Sequence, residues 1–162
     1  MINEWIRFEL KTLEHTELLG EMIVTCAKEG SIICLDGDLG AGKTTLAKAI
    51  GKHLNISEPI TSPTFSIVKT YDGDLPFHHM DAYRLEGVEE AYEIDIDQYI
   101  YSKGLFVLEW ARVLKELLPE NKVYLIIHVE PATGIRQIEL SGKGDVFDCL
   151  IKELGRYDYF RN

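Results

Sequence analysis

Residues 37–45 read Gly-Asp-Leu-Gly-Ala-Gly-Lys-Thr-Thr, and Gly37 to Thr44 fit the spacing G-x-x-x-x-G-K-S/T at every position. Glycines so placed let a backbone wrap an anion with no Cβ in the way. Successive N–H groups converge into an anion nest, and a helix starting there adds its positive end. Lys43 would reach the β- and γ-phosphates of a nucleoside triphosphate, and the Thr44 hydroxyl would ligate Mg²⁺. The predicted ligand is ATP with Mg²⁺, held by Asp38, Leu39, Gly40, Ala41, Gly42, Lys43, Thr44 and Thr45. The bland alternative is a glycine-rich turn; an accidental match in a chain this long is roughly a one-in-a-hundred event or rarer.

Hydrolysis or transfer also needs an acid to organise the metal and a group to orient the nucleophile. Asp81 ends the apolar stretch Phe77 to Met80, and Glu109 ends Gly104 to Leu108. A carboxylate at the end of a buried strand beside a phosphate loop can hold a metal-bound water or polarise the attacking one. The predicted metal set is therefore Thr44, Asp81 and Glu109, and the catalytic set Lys43, Asp81 and Glu109. Solvated strand-end residues are the competing reading of the two acids. Thr61, Ser62 and Thr64 follow the first loop-borne helix, where a hydroxyl can cover the γ-phosphate; Thr64 is favoured. His78 and His79 are adjacent on a probable strand, so they point to opposite faces and read as structural. Arg84 is the one arginine the sequence places near the site. No arginine-rich lid of the small-molecule kinase type is evident, and no N-K-x-D supports guanine. Leu140-Ser141-Gly142 starts like a transporter signature, but Lys143 and Gly144 break it.

These groups need strands that end at the loop. Ser31 to Leu35 is short, apolar and β-branched, as a strand buried on both faces would be. Thr45 to Leu54 is helical, and Gly104 to Glu109 is a second buried strand. Ile6 to Leu10 alternates as a strand; Leu13 to Lys28 carries helical spacing. Phe65 to Tyr71 and Leu75 to Tyr83 read as a hairpin around Asp72-Gly73-Asp74. Val88 to Tyr101 is helical in pieces and Arg112 to Leu118 a short helix. Val123 to Val129 and Ile135 to Leu140 are strands around a turn at Pro131 to Gly134, and Val146 to Leu154 closes as a helix. The pattern predicts an α/β phosphate-loop (P-loop) NTPase, a three-layer sandwich around a mixed, partly parallel sheet, with residues 1–162 as one domain.

The formal net charge is −10 over 162 residues. Such a surface repels phosphate backbones, so a direct nucleic-acid grip needs a local basic patch or a basic partner. Three cysteines, an odd number at wide spacing, suggest buried free thiols and neither a disulfide framework nor a zinc site. No signal peptide and no membrane span are expected, and the cytoplasm is the default location.

Taken together, residues 37–45, Thr61-Ser62-Pro63-Thr64-Phe65, His79-Met80-Asp81-Ala82-Tyr83-Arg84-Leu85 and Glu109-Trp110 resemble the TsaE family of bacterial tRNA threonylcarbamoyladenosine biosynthesis, over about Thr12 to Leu140. The phosphate loop is generic; the later segments, in that order, are far more specific. The resemblance implies a cytoplasmic, Mg-dependent ATPase, slow alone, that works with the larger partners TsaB and TsaD. The TsaD-type protein modifies an adenosine of tRNAs reading codons that begin with A, so RNA would be met only through partners. It adds Trp110 to the site, either as an aromatic packed beside it or facing nucleotide or partner. Many relatives continue Glu-Trp with Pro-Glu, whereas this chain has Ala111-Arg112, so no role carries over there. Two rivals remain: a small-molecule kinase, and a nucleotide-gated binding module without turnover.

Overall fold

The computed structural model describes residues 5–38, 40–63 and 68–157, and Phe160. Its strands are β1 (Ile6–Leu10), β2 (Ile32–Gly37), β3 (Val68–Tyr71), β4 (Phe77–Asp81), β5 (Leu105–Glu109), β6 (Lys122–Val129) and β7 (Arg136–Lys143). Its α-helices are α1 (Leu13–Cys26), α2 (Lys43–His53), α3 (Val88–Glu93), α4 (Asp97–Ile100) and α5 (Asp145–Leu154); a 3-10 helix spans Ala111–Leu117. The strands form one sheet in the order β1-β7-β6-β2-β5-β4-β3. β2 pairs in parallel with β5 and β6, and β4 with β5. β1 with β7, β6 with β7 and β3 with β4 are antiparallel. The three-layer, mixed-sheet expectation holds.

β2 is buried at every residue, as its unbroken apolar run requires of a central strand covered on both faces. Ile33, Leu35, Val107 and Leu125 face α1, α2 and α5. Cys34, Phe106, Leu108 and Met80 face α3, α4 and the 3-10 helix. Thr12 caps α1, its side chain accepting from the His15 N–H. The helices α1 and α2 pass so closely that a Cβ on Gly20 would lie 2.6 Å from the Ala49 Cβ. Among the described residues, no helix is long and apolar enough to cross a membrane.

Several boundaries differ from the sequence reading. β4 stops at Asp81 because the Asp81 side chain turns back to accept the Tyr83 N–H at 2.9 Å, a local turn that competes with the ladder. Helix α1 ends at Cys26, two residues early. Of the predicted strand from Phe65 to Tyr71, residues 65–67 lie outside the described residues, and the rest is strand from Val68. The cysteine expectation is overturned for two of three. Cys26, at the end of α1, and Cys149, on α5, form a disulfide with Cα atoms 5.6 Å apart. They are separated by 123 positions, so only the packing of α5 beside α1 brings them together. Cys34 is a buried free thiol, its pKa pushed up to about 12 by burial.

Candidate functional site

The loop between β2 and α2 opens the site. Gly42 immediately precedes α2 and has φ +105°, a conformation open to glycine. A Cβ there would also lie 2.5 Å from Nε of Arg136. The first residues of α2, Lys43, Thr44 and Thr45, therefore present their unpaired N–H groups and the helix's positive end to one cleft. Gly40 to Thr45 line that cleft together with Ser62, Asp81, Glu109, Trp110 and Arg136. A larger cavity, about 690 Å³, lies along β6 over Tyr124 and Ile126 and lacks these amides. Asp38 lines that second cavity, while its carbonyl accepts from the Ala41 N–H at 3.0 Å to close the loop. Leu39 and Thr64, both predicted to bind nucleotide, lie outside the described residues. Ser62, two positions before Thr64, supplies a hydroxyl to the cleft wall.

Lys43 is not a free surface side chain; it is 5% exposed. Its ammonium donates to the carbonyl oxygens of Gly37 and, at 3.0 Å, Asp38. It also sits 4.4 Å from the Trp110 ring centroid. Burial lowers the Lys43 pKa, and the charges of Glu109, Asp81, Asp36 and Asp38 oppose that shift.

The two predicted carboxylates meet here. Asp81 and Glu109 are register partners on β4 and β5, and Glu109 is also opposite Leu35 of β2. The Thr44 hydroxyl donates to the Glu109 carboxylate, 3.3 and 3.4 Å from its two oxygens. Burial raises the Asp81 pKa, the Glu109 charge adding to the effect, while the Tyr83 N–H and nearby cations oppose it. Thr44, Asp81 and Glu109 thus offer hard oxygen donors beside the loop, the donor type that Mg²⁺ takes. Among the described residues no group of three or more His, Cys, Asp and Glu side chains could hold a metal alone. A cation here would need phosphate oxygens to complete its shell, which is how Mg²⁺ is usually held in phosphate sites.

The histidines separate as the strand period demands, and only one of them meets a candidate site carboxylate. His78 stacks edge-on with Tyr99, ring centroids 5.3 Å apart, on the far face. His79 is 0% exposed, and its Nε2 lies 2.5 Å from Glu109 Oε2. Its Nδ1 is buried and unpartnered. With Glu109 ionised, His79 Nε2–H donates to one carboxylate oxygen while Thr44 donates to the group from the loop side. The sequence signal was available: His79 has the same strand parity as Asp81, two residues away.

Trp110 faces the cleft. It adopts the left-handed conformation, φ 58°, between β5 and the 3-10 helix, with its N–H bonded to the Leu35 carbonyl at 2.9 Å. Arg112 stacks on it at 4.6 Å, and Tyr83, half exposed, lies 4.9 Å away. The Ala111-Arg112 departure is accommodated: Ala111 is buried, and the Arg112 N–H donates to Asp36 Oδ1 at 3.3 Å. Arg84, the arginine singled out from sequence, is exposed and does not line the cleft. Arg136, which sequence reasoning passed over, does.

Comparison with known proteins now decides the family. The family model described as threonylcarbamoyl adenosine biosynthesis protein TsaE matches residues 10–138. The chain belongs to the TsaE family. It is 37% identical over 150 residues to the tRNA threonylcarbamoyladenosine biosynthesis protein TsaE of Bacillus subtilis (strain 168), covering 92% of this chain and 93% of that one. To the protein of the same description from Treponema pallidum (strain Nichols) it is 36% identical over 131 residues, 81% of this chain and 96% of the other. A crystal structure of Bacillus subtilis YdiB matches with a TM-score of 0.80 at 31% identity, over 98% of this chain and 99% of that one. The fold is that of the P-loop NTPases, as TsaE family membership requires.

Proposed function

We propose that this TsaE family protein serves tRNA threonylcarbamoyladenosine biosynthesis as a Mg²⁺-dependent ATPase working with TsaB and TsaD in the cytoplasm. One observation carries the reading. The Thr44 hydroxyl of the phosphate loop and the buried Glu109 carboxylate are hydrogen-bonded across a single cleft, with Asp81 in register beside them. A binding module needs the loop but not a carboxylate held at the phosphate end.

The roles follow from position. The α2 amides and Lys43 bind the polyphosphate and oppose its charge where it grows in the transition state. Mg²⁺ would be held by Thr44, Asp81 and Glu109 with phosphate oxygens, and would supply charge neutralisation and in-line orientation. Glu109 orients or deprotonates water, and His79 fixes Glu109. Trp110 packs on Lys43 at the cleft wall, which favours the nucleotide-facing reading over the partner-facing one.

The test is reconstitution. ATP hydrolysis is measured for this protein alone, with TsaB and TsaD, and with TsaB, TsaD and substrate tRNA, with tRNA modification scored in parallel. The expected result is slow turnover alone, marked stimulation by the partners and modification only when all are present. Nucleotide binding without turnover in any mixture would leave the gated-module reading standing. A phosphorylated small molecule formed without partners would favour a kinase.

A further inference from the structure

The cavity of about 690 Å³ along β6 shares no lining residue with the nucleotide cleft. Asp36, on β2, lines it opposite Ile126 of β6. Asp36 is 5% exposed and, among the described residues, has no ion pair. Its Oδ1 accepts from the Arg112 N–H at 3.3 Å, and its Oδ2 accepts from the Tyr124 hydroxyl. An ionised carboxylate has about four lone-pair positions, so about two remain for donors from the cavity. A buried charge without an ionic partner is costly unless such donors reach it.

Tyr124 comes next along the floor. The Trp5 ring stands against it at 90°, centroids 6.1 Å apart, and Trp5 is 38% exposed. Two rings so set form a corner in which a third flat ring meets one face and one edge, both favoured aromatic contacts. At the far end Lys122 and Lys143 are register partners on β6 and β7, and the Lys115 ammonium is 6.0 Å from the Tyr124 ring centroid. Lys143 has Glu120 at 3.3 Å, an exposed pair of the kind that holds little. From Lys122 to Ile126, the level of Asp36, the strand rises about 13 Å. The groove thus offers a buried acceptor, an aromatic corner and a cluster of lysines in that order.

We infer that this groove is a second ligand site, for a nucleoside monophosphate. Ring N–H groups meet Asp36, the ring lies in the Trp5–Tyr124 corner, and the phosphate meets Lys122, Lys143 and Lys115. The site stands apart from the proposed hydrolysis and does not rest on it. The two spaces do share a wall: Asp38 lines the groove, while its carbonyl accepts from Lys43 at 3.0 Å.

GMP is the probe, because guanine sets two N–H donors side by side for Asp36. Its binding is measured calorimetrically with the cleft filled by Mg²⁺ and a non-hydrolysable ATP analogue, for wild type, Trp5→Ala and Lys143→Gln, after thermal melts establish that each is folded. Both positions are exposed, so the fold is not at stake. GMP is expected to bind the filled protein, and each variant to weaken it by about 10-fold, the worth of a stacked base or a charged hydrogen bond. Guanosine and ribose 5-phosphate, each lacking one half of the contacts, are expected to bind at least about 10-fold more weakly than GMP. No GMP binding would overturn the inference and leave the groove as a face for a protein partner. GMP displaced by the ATP analogue, or indifferent to both variants, would also overturn it. Ribose 5-phosphate binding as tightly as GMP would reduce the site to an anion contact and overturn the assigned class. Failure of the ATP analogue to bind would sink the reading of the cleft, and the two variants would still decide whether GMP occupies the groove.

Discussion

The two flanks of β2 reach the same cleft by opposite means. On one side β5 and β4 run parallel to β2, so they deliver their last residues, Glu109 and Asp81, to the edge where β2 gives way to the loop. On the other side β6 is parallel, but β7 returns antiparallel and pairs Arg136 with Val129. An antiparallel strand brings its first residue to the edge where parallel strands bring their last. The parallel flank carries acids and a buried imidazole, which the proposed function assigns to metal and water. The antiparallel flank carries a guanidinium anchored on the phosphate loop. Acids and guanidinium thus reach one cleft by opposite strand directions across one central strand.

The loop belongs to both flanks, so breaking it should erase the distinction. Lys43→Ala is expected to lower turnover by on the order of 10³-fold or more and to weaken nucleotide binding together with it. Steady-state hydrolysis and calorimetry check this, with circular dichroism to establish the fold. Because Lys43 is 5% exposed and bonded to its own loop, some loss of melting temperature should accompany the change.

Next in size are the acids. Glu109→Gln is expected to slow turnover by about 10²- to 10³-fold, as for a positioned base, with ATP affinity nearly unchanged. Asp81→Asn is expected to raise the Mg²⁺ concentration needed for half-maximal ATP binding by roughly 10-fold or more. Single-turnover kinetics and Mg²⁺ titrations separate them. Identical, mild effects from both would make them solvated strand ends and dissolve the contrast between flanks.

His79 sharpens the comparison within the parallel flank. His79→Leu is expected to lower kcat by about 10- to 100-fold, the usual range for a partner that orients a reacting group, while ATP affinity stays within threefold. His79→Gln, which can still donate to Glu109, should recover most of the loss. Equal losses in both variants would mean that the ring's shape matters and its hydrogen bond does not.

The smallest effect lies farthest away. Gly20→Ala would drive α1 against Ala49 of α2, costing about 1–3 kcal/mol by overpacking. Because α2 begins at the phosphate site, nucleotide affinity should also fall, by severalfold at most. Denaturant unfolding and calorimetry on the same sample test the link.

Much of this was legible in the residues themselves. The loop motif fixed Gly37 to Thr45, and the buried runs before Asp81 and Glu109 placed both acids at strand ends beside it. What stayed hidden depended on pairing that no local pattern encodes. Arg136 opens a strand, and strand starts look like turn residues until the strand's direction is known. His78 and His79 read as structural because adjacent strand residues point to opposite faces; the contact of His79 with Glu109 across the ladder is a matter of pairing that this period does not specify. The cysteine reading failed for the same reason, since Cys26 and Cys149 are distant in sequence and adjacent only between packed helices.

That last bond also closes residues 26–149 of the 162 into a ring. A single backbone cut anywhere from residue 27 to residue 148 would leave both pieces in one molecule. The exposed turn at Asp72, Gly73 and Asp74 offers a protease such a place. A sample nicked there would run as intact protein on a denaturing gel without reductant and fall into two bands once the Cys26–Cys149 bond is reduced.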